Sequence, residues 1–122
     1  MIAQLSPADF AAWRDNAISA APAHRPVVLD VREPWELQTA SVREDGFELM
    51  HIPMREVPAR IAEMQQSGLI TPDQPIACLC HHGMRSLQVA NYLAQGGYTE
   101  VVNLQGGIAA WSQQVDPAVP QY

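Results

Sequence analysis

Apolar and polar positions along the chain switch between two periods, and the switches divide it into strands and helices. Val27-Val28-Leu29-Asp30-Val31 and Ile76-Ala77-Cys78-Leu79-Cys80 are compact apolar runs, the pattern of parallel strands covered on both faces. Val101-Val102-Asn103-Leu104 is a third strand, and Phe47-Glu48-Leu49-Met50-His51-Ile52 alternates as a half-covered one. Between them apolar residues recur at helical spacing. Phe10, Trp13 or Arg14, Ala17 and Ile18 make one such stripe, Val57, Ile61 and Met64 a second, and Leu87, Val89, Ala90, Leu93 and Ala94 a third.

The breaks carry their own signals. Ser6 reads as an N-cap, with Pro7 at the first helical position and Asp9 placed for a capping box. The two prolines in Ala21-Pro22-Ala23-His24-Arg25-Pro26 end that helix. A short helix is expected from Pro34 to Gln38, with Glu33 and Glu36 serving its first turn. Ser41 to Gly46 and Thr71 to Pro75 are turn-like, and Gly96-Gly97 stops the third stripe. Gly106-Gly107 opens a last short helix through Trp111, and the tail Asp116 to Tyr122, with two prolines, is expected to be loosely held. Strands and helices thus alternate at least four times, which predicts an α/β domain around a mostly parallel sheet with right-handed crossovers. Ligands of such sheets bind at the carboxyl ends of the strands, and Cys80 falls at one. The expected organisation is a single domain over residues 1–122 with its core at about 20–115.

Composition narrows the chemistry. The 122 residues carry a net charge of −6, and all seven basic residues are arginine. That balance argues against a nucleic-acid surface, and the lack of lysine excludes a P-loop or a Schiff base. The two cysteines are one residue apart and no cysteine or histidine pair has structural-zinc spacing. Reduced thiols point to the cytoplasm. The sequence opens with neither a basic leader nor a long apolar segment, and no apolar run approaches the ~20 residues of a membrane span. No membrane association is expected.

The most informative stretch is Cys80-His81-His82-Gly83-Met84-Arg85-Ser86, where a strand delivers a thiol into a tight loop followed by a helix. Successive backbone N–H groups can converge on the sulfur, and the helix adds its positive end. An ordinary thiol with pKa ~8.5 is mostly protonated at neutral pH, and such surroundings favour its anion. Gly83 relieves the tight turn. Arg85 is expected to close the cradle with a fork that fits an oxyanion. The amides of His81 and His82 are expected to line the cradle with their rings toward solvent, an acid–base or metal-binding role being the alternative. Met84 either shapes the pocket mouth or fills a packing gap. Cys78 reads as core, with a resolving thiol as the alternative.

With these residues in place the chain resembles a single-domain rhodanese of the sulfurtransferase family. Four segments carry the resemblance: Leu29 to Glu36, His51-Ile52-Pro53, Cys80 to Ser86, and Asn103 to Trp111. The middle one departs from the family form, since Met50 stands where glycine is usual and Ser41 to Leu49 is longer than usual. The resemblance implies a three-layer α/β domain with a mostly parallel five-stranded sheet flanked by helices. It implies that Cys80 attacks a sulfane donor such as thiosulfate and passes the sulfur on from a persulfide. His81, His82, Gly83, Met84, Arg85 and Ser86 are then the substrate-binding residues, and Asp30 and Arg32 support them from a strand end, the plainer reading of Arg32 being a surface side chain. The implied partners are a small anionic sulfur donor, a thiol or cyanide acceptor, and a sulfur-relay protein. No organic cofactor or metal is required.

Other readings compete. A cysteine phosphatase or arsenate reductase also uses a Cys-to-Arg loop, but with five intervening residues, whereas His81-His82-Gly83-Met84 supplies four. A non-catalytic binding module would be expected to have lost Cys80. A persulfide carrier in a protein relay shares every residue of the main reading.

Overall fold

The computed structural model describes residues 2–122; Met1, which the domain reading includes, lies outside the described residues. The elements in chain order are β1 (Ala3–Leu5), α1 (Phe10–Ala20), β2 (Val27–Asp30), α2 (Pro34–Thr39), β3 (Glu48–His51), α3 (Val57–Gln66), β4 (Ile76–Leu79), α4 (Met84–Gln95), β5 (Val101–Leu104) and α5 (Gly107–Gln114). Single 3-10 turns at Pro7–Asp9 and Met54–Glu56 lead into α1 and α3. The five strands form one sheet in the order β1-β5-β4-β2-β3, and every pairing is parallel. No helix among the described residues is long and apolar enough to cross a membrane.

Every residue of β2 and β4 is buried, as their unbroken apolar runs require. Alternate residues serve opposite faces. Val27, Leu29, Ile76 and Cys78 join Val57 and Ile61 of α3 and Val89, Ala90 and Leu93 of α4 in one core. Val28, Ala77 and Leu79 join Phe10 of α1 with Ile108 and Trp111 of α5 in the other. There Phe10 meets Phe47 and Trp111 edge-on at 5.3 and 5.0 Å between ring centres, the favoured aromatic geometry. The expected three-layer architecture is therefore present, with α3 and α4 on one side of the sheet and α1 and α5 on the other.

Several expectations need correction. The hydrophobic pattern marked four strands, and the fifth is β1, a three-residue edge strand beside β5, too short to show a period. Ser6 does precede a helix with Pro7 at its start, but no capping box forms. Its hydroxyl donates instead to Gln114 Oε1 at 2.7 Å. The α4 stripe is narrower than expected: Ala94 is exposed, and Ser86 is buried in its place. The tail is not loose. Val119 is buried among the α1 and α5 side chains, its carbonyl accepts the Ser112 hydroxyl at 2.6 Å, and Tyr122 reaches the carboxyl end of the sheet. The prolines at 117 and 120 prevent a helix without preventing an extended segment from docking. The core therefore begins before residue 20, at Phe10, and continues past 115 to Val119.

Arg32 is fully buried at 0 % exposure, against the plainer reading of a surface side chain. Its Nη2 lies 2.7 Å from Asp30 Oδ2 and its Nε 3.0 Å from Oδ1. The remaining guanidinium hydrogens reach Ala40 O at 2.8 Å, Glu36 O at 3.3 Å and the Tyr122 hydroxyl at 2.9 Å. One buried fork thus ties the end of β2 to both ends of α2 and to the tail. The protonated Nε2 of His51 donates to Arg32 O at 2.7 Å and fixes the neighbouring β3 end. Removing one partner of a buried pair leaves the other charge uncompensated. Arg32→Ala is expected to lower stability by about 3–5 kcal/mol in urea denaturation.

Candidate active site

Leu79 ends β4, and Cys80 is the first residue beyond it, with the residue 1 % exposed. The chain then folds over its sulfur. The Gly83 amide donates to Sγ at 3.1 Å and the Ser86 amide at 3.4 Å, while the Ser86 hydroxyl stands 3.3 Å away. Gly83 has φ +99°, the left-handed region open to glycine, which sets its amide inward just before α4 begins. Ser86 is the third residue of α4, so its amide is one of the four that have no partner within the helix. The sulfur takes that place. The expected cradle is present, though its donors are Gly83 and Ser86 and not the amides of His81 or His82.

Three carbonyls of the loop are met by the next strand and helix. Ile108 N–H donates to Cys80 O at 2.9 Å, Ala109 N–H to His81 O at 3.2 Å, and Asn103 Nδ2 to Gly83 O at 3.1 Å. Gly107, at φ +62°, lies so close beneath the carbonyls of Cys80 and His81 that a Cβ there would collide with both.

Arg85 differs from its expected role. Its fork does not stand open over the sulfur; it grips the Glu36 carboxylate in two bonds of 2.7 and 2.9 Å. Glu36 is 3 % exposed and also accepts the Tyr122 hydroxyl at 2.7 Å and the Glu33 amide at 3.2 Å. The Arg85 hydrogen bonds hold the Glu36 carboxyl down to about 2 and the Tyr122 hydroxyl and Glu33 amide add to this, while burial works in the opposite direction. The same pairing raises the Arg85 guanidinium further above its already high value. Because Tyr122 also receives Arg32, one unbroken network runs Asp30–Arg32–Tyr122–Glu36–Arg85 beside the loop.

The His81 ring stacks on Tyr122 at 3.8 Å with an interplanar angle of 3° and on His82 at 3.9 Å, so it does not simply face solvent. Burial, followed by the neighbouring His82, lowers its pKa, which favours the neutral imidazole. His82 and Met84 of the loop are exposed, and the Trp35 ring meets Tyr122 nearly perpendicularly, 6.3 Å between ring centres. Cys78 is completely buried on the same face as Cys80, and burial pushes its thiol far up.

The structure therefore brings together Cys80, Gly83, Ser86 and Arg85, with Asp30 and Arg32 one network away. Sequence reasoning missed three residues. Glu36 was assigned to its helix turn, where it does form a reciprocal capping box with Glu33; an acidic side chain at the same sheet end as Arg85 was the available signal. Asn103 could be suspected as the polar residue within an apolar strand. Tyr122 gave no local signal.

A family profile described as the rhodanese-like domain matches residues 10–114. The chain is 33% identical over 93 residues to a protein named sulfurtransferase from Allochromatium vinosum, covering 76% of this chain and 78% of that one. It is 33% identical over 87 residues to thiosulfate sulfurtransferase GlpE of Pseudoalteromonas translucida, covering 70% and 71%. Rhodanese-like/PpiC domain-containing protein 12 of Arabidopsis thaliana, chloroplastic, is 38% identical over 95 residues, 78% of this chain but 30% of the relative. Among solved structures, a rhodanese-related protein from Thermoplasma volcanium superposes with a TM-score of 0.66 at 28% identity, covering 98% and 99% of the two chains.

Gly107→Ala is expected to displace the loop: destabilisation of about 1–3 kcal/mol in thermal or urea unfolding, accompanied by loss of activity in the variant that remains folded. A carboxyl depressed by folding stabilises above its unfolded value of 4.5 and loses that contribution as the pH falls toward about 2. Urea midpoints at about pH 7 and about pH 3 should thus show a larger acid loss for the wild type than for Glu36→Gln, the variant itself being about 1–3 kcal/mol less stable at the higher pH.

Proposed function

Because this chain belongs to the rhodanese-like sulfurtransferase family, we propose that it moves a sulfane sulfur from thiosulfate or another persulfide donor to a thiophilic acceptor, with the sulfur held on Cys80 between the two. The observation that carries this reading is the convergence of the Gly83 amide and the Ser86 amide and hydroxyl on Cys80 Sγ. The two amides, fixed by the backbone around a buried sulfur, stabilise charge on it without reorganising, and the hydroxyl can add a third hydrogen bond. They serve the attacking thiolate.

The cycle balances in two displacements. The Cys80 thiolate attacks the outer sulfur of thiosulfate; the new S–S bond forms as the old one breaks, and its electron pair leaves with sulfite. Cys80 then carries a persulfide anion. A thiolate or cyanide attacks the terminal sulfur, and the electron pair of the Cys80 S–S bond returns to Sγ. No redox partner is needed beyond donor and acceptor.

In this reading Gly83 and Ser86 hold the sulfur, and Met84 and His82 line its mouth. Arg85 contributes whatever guanidinium hydrogens its two bonds to Glu36 leave free. Asp30 and Arg32 support the site through Tyr122 and Glu36. The pairing of Arg85 favours a second reading on the same residues: a neutralised arginine attracts a small dianion less, which suits a carrier that receives sulfur from a protein persulfide, thiosulfate serving as a surrogate.

Thiosulfate:cyanide sulfurtransferase turnover, compared between the wild type and Cys80→Ser, tests the proposal together with the intact mass after thiosulfate alone. Expected are turnover that falls to background in the variant and a one-sulfur adduct on the wild type alone. An adduct with negligible turnover would select the carrier, and absence of both would overturn the proposal.

A further inference from the structure

The Ser86 hydroxyl lies 2.6 Å from Asn103 Oδ1 as well as 3.3 Å from Cys80 Sγ. A serine has one hydrogen, and both neighbours can accept it. The Asn103 amide cannot turn to offer a donor instead, because its Nδ2 is engaged with Gly83 O at 3.1 Å and Gln4 Oε1 at 2.9 Å. Cys80, Ser86 and Asn103 are 1 %, 0 % and 1 % exposed, so each hydrogen bond must be matched within the cluster.

We propose that Asn103 is a positioning residue that makes the Ser86 hydroxyl a rotor responding to the charge on Cys80. While Cys80 is a thiol, its S–H donates to Ser86 Oγ and the hydroxyl donates to Asn103. When the sulfur is a thiolate, its proton having gone to solvent, the hydroxyl turns its hydrogen to Sγ, and Asn103 Oδ1 gives up its donor. This rests on Cys80 as the reacting sulfur.

The two backbone amides cannot respond in this way, since they present N–H to the sulfur in either state. A thiol in a dry loop also needs an acceptor for its own hydrogen, and no amide N–H supplies one. The hydroxyl alone can reverse. Asn103 opposes the reversal, because releasing the hydroxyl leaves a buried carbonyl oxygen without a donor. It therefore weights the equilibrium toward the thiol.

The thiolate band in the ultraviolet, read across pH with Cys80→Ser as the blank, follows the sulfur whether or not turnover occurs. A failed transfer assay and a failed rotor are thus separate results. With Ser86 present, Asn103→Leu should lower the titration midpoint by about one pH unit. Ser86→Ala should raise it, and adding Asn103→Leu to Ser86→Ala should change nothing further. Ser86→Thr, which keeps the hydroxyl, should restore the Asn103 effect. Arg85, Glu36, Asp30, Arg32, Cys78, His81 and His82 are the same in every variant and cancel in the comparison. An equal shift in both backgrounds would mean that Asn103 acts through the Gly83 carbonyl and would overturn the rotor, as would no shift with Ser86 present. Should Asn103→Leu fail to fold, the side-chain carbonyl 13C resonance of Asn103 in the wild type should move with the thiolate midpoint and stand still in Ser86→Ala. A resonance that does not move in the wild type overturns the proposal.

Discussion

Between the end of β4 and the start of α4 the backbone leaves the hydrogen-bond ladders of both, and the site depends on where the loop's carbonyls go. Around Cys80 they go to the β5–α5 turn: the carbonyls of Cys80 and His81 are taken by Ile108 and Ala109, and that of Gly83 by Asn103. Each is one of the orphan or side-chain donors that a helix start and a polar strand residue leave available. The β5–α5 turn therefore holds the loop from below. This is why a glycine stands at 107, where α5 begins: the close approach of the two backbones leaves no room for a Cβ there.

Charge is arranged differently. Asp30 with Arg32 and Glu36 with Arg85 form two opposed pairs, joined by the neutral Tyr122 hydroxyl. The four charges cancel. The network ties the sheet end together, and in the proposed cycle anion stabilisation falls mainly to short-range dipoles a few ångströms from the sulfur. For a chain with a net charge of −6 this keeps the site's pull local.

The parts of this arrangement that were legible in the sequence are those encoded over a few neighbouring residues. The buried runs at 27–31 and 76–80 declare parallel strands because both faces must be apolar, and Gly83 after a strand-end cysteine declares a tight turn. The resemblance of four ordered segments then fixes the three-layer arrangement. What was illegible depends on distant partners. Ser6 has ideal capping chemistry, yet a glutamine more than a hundred residues away offers its hydroxyl a better acceptor. Arg85 looked like a free fork because nothing local marked Glu36 as its counter-ion. Tyr122 lies in a segment whose composition resembles a disordered end, and its docking comes from ring contacts with His81 and Trp35 and two hydrogen bonds that no periodicity encodes.

The position of Cys78 bears on how long cargo stays aboard. It lies on the same sheet face as Cys80, two residues earlier, sealed in the α3–α4 core with a thiol that stays protonated. A protonated, enclosed thiol is no nucleophile. In the proposed cycle a loaded sulfur thus has no exit within the domain: it cannot be discharged by forming an internal disulfide. Its dwell time is then set from outside, by how often a competent acceptor arrives, so the loaded form can accumulate when acceptors are scarce and empty when they return.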